Sequence, residues 1–258
     1  MPKARTPDGV EIHYDVRGSG PINLACLHGW GGVGGLWFQV VKHLDPRQFC
    51  CWLIDSRGHG RSAIPASGYD WAHFASDVLA VADQEGGGSF IPVGSSLGGK
   101  LAFHLTAQNP DRIPAQILVA PVGPLFTPFT LESRLELCRQ AAHWEDLKAA
   151  IKDWFGPGAS EQIIDACARA VSRTPQLVLT TTAETLFATP LPISRVAAPT
   201  LLIIGERDPI YGPAYQNEHV APYLSQGETV TLAGGHFAPI EQPAEVAALI
   251  TRFAASFV

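Results

Sequence analysis

Charge is what this chain has little of. Asp, Glu, Lys and Arg make up 16% of its 258 residues, 18 basic against 24 acidic, for a net charge of −6. No cluster of Lys and Arg stands out, so neither nucleic acid nor an anionic membrane surface is an expected partner. No apolar run is long enough to span a bilayer. Residues 1–5 lead into polar sequence rather than an apolar segment, so no signal peptide is expected and the expected location is cytoplasmic. Cysteine is sparse and odd in number: Cys26, Cys50, Cys51, Cys138 and Cys167. Without C-x-x-C spacing, these read as reduced thiols acting as small buried hydrophobes. H-E-x-x-H and H-x-x-x-H are both missing, and no metal or organic cofactor is expected. There is no internal repeat and no low-complexity linker. Hydrophobic residues reach 46%, which fits one large packed α/β domain with room for an inserted subdomain.

The order of elements follows from periodicity and turn signals. Lys3–Arg5 and Val10–Val16 flank Thr6-Pro7-Asp8-Gly9 and read as a hairpin. Apolar strands are expected at Ile22–Leu27, Phe49–Ile54, Phe90–Val93 and Gln116–Ala120, with helices at Leu36–Leu44 and Trp71–Ala82. This alternation predicts an α/β fold with a mostly parallel sheet and helices on both faces. From Val122 to about Val196 only helical segments appear: Leu131–Ala142, Glu145–Phe155, Ser160–Ser172 and Pro175–Phe187. Strands resume at Thr200–Ile204 and Glu228–Leu232, and Ala244–Phe257 reads as a closing amphipathic helix. The expected division is a core of 1–121 and 196–258 with a helical cap of 122–195 over the carboxyl edge of the sheet.

The chemistry is concentrated at a few loops. Gly94-Ser95-Ser96-Leu97-Gly98 lies between a strand and a helix, the setting of a nucleophile elbow. Glycines two residues to either side let strand and helix approach, and Ser96 is lifted clear of the sheet at a helix N-terminus. Acyl transfer by serine also needs a base, an orienting carboxylate and oxyanion donors. His236 follows the last strand in Ala233-Gly234-Gly235-His236-Phe237 and is the base candidate among nine histidines. Asp208 follows the Thr200–Ile204 strand and is the acid candidate, with Glu206 as its rival. The order Ser96, Asp208, His236 is that expected of α/β-hydrolases. The oxyanion donors should be the amide of Leu97 and an amide from the loop after Leu27, either Trp30 or Gly31. Asp55, in Asp55-Ser56-Arg57-Gly58-His59-Gly60-Arg61-Ser62, reads as part of a structural turn network. Lys100, one turn past Ser96, reads as solvated or structural.

On Leu27-His28-Gly29-Trp30-Gly31, Asp55–Ser62, Gly94–Gly99, Gly205-Glu206-Arg207-Asp208-Pro209 and Gly234-Gly235-His236, the chain resembles the α/β-hydrolase superfamily. It is similar to the capped, cofactor-free esterases that include pimeloyl-carrier-protein methyl ester esterase and 3-oxoadipate enol-lactonase. The resemblance implies a serine esterase or lactonase with catalytic Ser96, Asp208 and His236. It places the oxyanion hole at the amides of Trp30 and Leu97. A serine nucleophile sets the chain apart from the similar epoxide hydrolases and haloalkane dehalogenases, which use aspartate. Carbon–carbon bond hydrolases, cofactor-free perhydrolases and slow hydrolase-fold receptors are the alternatives. Trp30, Phe126, Phe129 and Phe237 are expected to contact a small, fairly apolar ester or lactone.

Overall fold

The computed structural model describes residues 2–187 and 189–257; positions 1, 188 and 258, which fall within the expected core and cap spans, lie outside the described residues. A sheet of eight strands forms the centre, in the order β1-β2-β4-β3-β5-β6-β7-β8. The strands are β1 (Lys3–Arg5), β2 (Glu11–Gly18), β3 (Ile22–Leu27), β4 (Phe49–Ile54), β5 (Ile91–Ser95), β6 (Gln116–Val119), β7 (Thr200–Gly205) and β8 (Gly227–Leu232). β2 runs antiparallel to β1 and β4, and every pair from β4 to β8 is parallel.

The central strands are covered on both faces, which is why they read as unbroken apolar runs. Alternate residues feed two cores. Ala25, Leu27, Trp52, Ile54, Leu118 and Leu202 face α2 (Trp71–Gln84) and α3 (Leu97–Gln108). Leu24, Cys26, Leu53, Val93, Ile117 and Leu201 face α1 (Phe38–Val41) and α10 (Pro243–Ala254). β8 is an edge strand, and its Glu and Thr side chains are largely exposed.

Between β6 and β7 the described residues build four helices: α4 (Leu131–Ala141), α5 (Trp144–Lys152), α6 (Glu161–Arg173) and α7 (Gln176–Thr185). Each buries one stripe, for example Leu147 and Ile151 of α5 or Ile164, Cys167, Ala168 and Val171 of α6. Thr130 caps α4 by accepting the Ser133 amide at 3.1 Å.

Two local readings differ. The expected Leu36–Leu44 helix is a 3₁₀ turn, Gly34–Trp37, followed by the single turn α1. Gly34 is pressed so close to the Leu53–Ile54 backbone that a Cβ would stand 2.6 Å from it, and the segment bends to stay against β4. α8 (Pro213–His219) was not anticipated. It starts with Pro213 at its first turn, and its buried Gln216 side chain donates to the Pro121 and Tyr211 carbonyls. α9 (Ala238–Glu241) is one turn after the His236 loop.

Candidate active site

Ser96 sits between β5 and α3 with φ 55° and ψ −117°. A non-glycine residue in this region is strained and persists only where the surroundings impose it. The glycines explain the imposition. A Cβ on Gly94 would stand 2.1 Å from the Gly98 carbonyl oxygen, and one on Gly98 would stand 2.5 Å from the Leu27 oxygen. Strand, helix and the loop after β3 are therefore in backbone contact. Ser96 is tied in place by its own amide, which donates to Val119 O, and by its carbonyl, which accepts from Gly99 and Val122.

The loop after β3 lies directly over this serine. A Cβ on Gly29 would stand 3.1 Å from Ser96 Cβ and 3.6 Å from its Oγ. His28 holds the loop: its Nδ1–H donates to Gly29 O at 2.8 Å and its Nε2 accepts from the Ser56 amide at 3.1 Å. Burial holds His28 below the ordinary histidine value, which suits this neutral role. Gly31, at φ +66°, turns the loop toward Val171 and Leu179. No hydrogen bond within the described residues uses the amides of Trp30 or Leu97. The Leu97 amide also opens α3, where a helix presents free N–H groups.

The Nδ1–H of His236 donates to Asp208 Oδ2 at 2.7 Å, and both side chains are buried. Burial raises the Asp208 carboxyl, but the His236 charge and hydrogen bond and the Tyr211 and Ile210 amides outweigh it, and its pKa is lowered. Those amides donate to Oδ1, each at 2.9 Å. Glu206 is exposed and takes no part. Glu241 fixes the His236 loop, its carboxylate accepting the amides of Gly235 at 3.0 Å, Phe237 at 3.0 Å and Gly156 at 2.7 Å. The His236 amide donates to Trp154 O at 2.7 Å.

Ser96 and His236 line one cavity with Trp30, Phe129, Trp154, Phe187, Tyr211 and Phe237; its space, mouth included, is about 860 Å³. Beyond this ring it is walled by Leu137, Leu147, Ile151, Cys167 and Val171 of the inserted helices. Trp30 is fixed by its indole N–H, which donates to Leu179 O of α7 at 3.1 Å. Of the four residues expected to meet substrate, Trp30, Phe129 and Phe237 line the cavity. Phe126 does not: it is 46% exposed, with its ring 4.3 Å from that of His219. It precedes α4 and stacks on the unanticipated α8 instead of turning inward. The helix-stripe residues and Tyr211 were missed as lining because periodicity marks a buried face without saying what it faces. Lys100 is not solvated; it is wholly buried. Asp55 does anchor a turn network, accepting from Gly34 N and Arg61 N and pairing with His13.

A mostly parallel sheet of this order, with a strained serine between β5 and α3 and, in the same cavity, a histidine paired with a buried aspartate, defines an α/β-hydrolase fold. The chain belongs to the alpha/beta hydrolase family, whose model it matches over residues 24–249. It is similar to a non-heme haloperoxidase of Rhodococcus erythropolis, 35% identical over 127 residues, covering 48% of this chain and 46% of that protein. It is also similar to a pimeloyl-[acyl-carrier protein] methyl ester esterase of Vibrio parahaemolyticus, 38% identical over 111 residues, covering 43% of this chain and 41% of the relative. The matched stretches span less than half the length of these relatives. The enol-lactonase of Burkholderia xenovorans LB400 has the same fold, with a TM-score of 0.86 over 98% of this chain and 100% of that one, at 23% identity.

Proposed function

We propose that the protein is a serine hydrolase that cleaves a carboxylic ester or lactone of a small substrate through an acyl-enzyme. The observation that carries this reading is Ser96 at a strained helix N-terminus, in one cavity with His236, whose ring is held by the buried Asp208. Ser96 Oγ attacks the carbonyl carbon as His236 takes its proton. Asp208 holds the imidazole in the tautomer that leaves Nε2 free to accept it. The amides of Trp30 and Leu97 receive the oxyanion, each contributing about 3 kcal/mol to the transition state. His236 then gives the proton to the leaving alcohol. It next activates a water that releases the acid and restores Ser96. No step calls for a metal or organic cofactor. Residues 122–195 act as a cap that supplies the apolar walls. The proposed setting is cytoplasmic, with a small-molecule substrate and no nucleic-acid or membrane partner. Among the described residues no helix is long and apolar enough to cross a membrane.

The test is hydrolysis of p-nitrophenyl esters from acetate to decanoate by wild type and Ser96→Ala. Turnover that falls at least about 10³-fold in the variant is expected; equal turnover by a folded Ser96→Ala protein would sink the proposal. The similarity to a haloperoxidase supports one second reading, peroxide attack on the same acyl-serine, which peroxide-dependent halogenation of a dye would reveal.

A further inference from the structure

A solvent-facing groove between α4 and α5 backs onto the cavity that holds Ser96. One face of α4, with Ser133 and Gln140, and one face of α5, with Ala149 and Ala150, line it at helical spacing. Its space, mouth included, is about 1100 Å³. Polar residues and alanines give these two faces no apolar stripe to close upon. The apolar stripe of α5, Leu147 and Ile151, points into the cavity instead. Phe129, Leu137 and Trp154 line both spaces. Each is half-buried, whereas Leu147, Ile151, Cys167 and Val171, which line the cavity alone, are buried. At these three residues the partition between groove and cavity is one side chain thick. It is held by ring contacts. The Phe129 and Trp154 ring centres are 6.5 Å apart, and Phe129 meets Phe187 edge-on at 6.1 Å. The Trp154 backbone is fixed, its carbonyl accepting the His236 amide at 2.7 Å. Its indole N–H, unlike those of Trp30 and Trp37, donates to no described residue. The ring therefore turns aside without breaking a hydrogen bond.

We propose that substrate reaches Ser96 through the inserted helices, from the groove between α4 and α5, and that Phe129, Leu137 and Trp154 are the specificity-determining residues that set the width of the ester or lactone admitted. The route runs through the insertion and not along its seam with the core. This rests on the serine-hydrolase reading and adds a size limit to it: an unbranched chain slips between the three side chains, and a branched one must displace them. Trp154 has a second task. Its ring meets that of His236 edge-on at 5.7 Å, so it also positions the base, whereas Leu137 acts on width alone.

The test has two arms. The first compares p-nitrophenyl hexanoate with its branched isomer, p-nitrophenyl 3,3-dimethylbutyrate. The ratio of kcat/KM, branched over linear, is expected to rise about tenfold in Leu137→Ala and in Trp154→Ala relative to wild type. On the linear ester kcat should hold in Leu137→Ala and fall in Trp154→Ala. The second arm follows binding of p-nitrophenyl hexanoate to Ser96→Ala protein by stopped-flow quenching of tryptophan fluorescence, with and without Ala150→Phe or Ala149→Phe. These alanines line the groove and not the cavity. Bulk placed on a route slows entry and exit alike, so both rate constants should drop about tenfold with Kd unchanged. Unaltered association in both alanine variants means that substrate enters along the seam and overturns the proposal. An unchanged ratio in Leu137→Ala and Trp154→Ala overturns it equally. Should Trp154→Ala not fold, Leu137→Ala decides the first arm. Binding requires no turnover: slowed association beside a wild type inert on esters keeps the route and overturns the esterase, and Ser96-dependent turnover with unaltered association does the reverse.

Discussion

At the residue scale the most consequential side chains are those whose environment contradicts their chemistry. Lys100 is the clearest. Its pKa lies near 7 in the folded protein against an ordinary value of 10.5. Between those values the unfolded chain holds a proton that the folded one has released, so stability rises with pH across that window. Below about 7 both states hold it, and the full cost of a buried ammonium is present. Lys100→Met is expected to remove this slope and to stabilise the protein by about 1–4 kcal/mol below pH 7, as apolar replacement of buried charge does elsewhere. Melting temperatures of both proteins from pH 6 to pH 10 check it; parallel curves would refute it. Asp208 shows the reverse logic, a buried carboxylate kept charged by His236 and two amides. Asp208→Asn preserves the shape but not the tautomer control, and a loss of about 10⁴-fold in kcat with a small change in KM is expected.

At the scale of elements, the elbow and the His236 loop are held by backbone contact. Gly94→Ala would push a methyl group into the Gly98 carbonyl. A destabilisation of about 1–3 kcal/mol or more is expected, read from denaturant midpoints. Glu241 links α9, the His236 loop and the loop after α5 through three amides. Glu241→Gln turns one acceptor oxygen into a donor facing an amide, which costs about 1–3 kcal/mol. The expected result is a kcat about tenfold lower and faster hydrogen exchange at Gly235 and Phe237. Unchanged exchange there would show that Glu241 does not hold the loop. Most elements were legible because their periodicity matches their burial. The Ile22–Leu27 and Phe49–Ile54 strands have the bounds that their apolar runs suggest. The segment after Gly34 was not, because the backbone of β4 bends it. Nor was α8, whose seven residues bury only Gln216 and so carry no apolar stripe.

At the scale of the whole molecule, core and inserted helices share one hydrophobic cluster. It runs from Leu27 and Leu118 of the sheet through Leu101 of α3 to Leu147, Ile164 and Leu179 of the insertion. Such continuity predicts a single cooperative unfolding transition, with tryptophan fluorescence and far-ultraviolet circular dichroism coinciding in denaturant; an earlier loss of one signal would mark an independently melting cap. What the sequence by itself determined is local: the order of strands and helices, the glycine-bracketed Ser96, and the chemical types that follow the later strands. These are legible because turn geometry and periodicity act within a few residues. Only the tertiary structure decided which buried faces meet the cavity, that Phe126 turns toward α8, that Glu241 grips the His236 loop, and that Lys100 is wholly buried. Those outcomes depend on contacts between segments far apart in the chain. No local spacing encodes them, because a buried stripe specifies that a partner exists and leaves the partner to the packing of the whole.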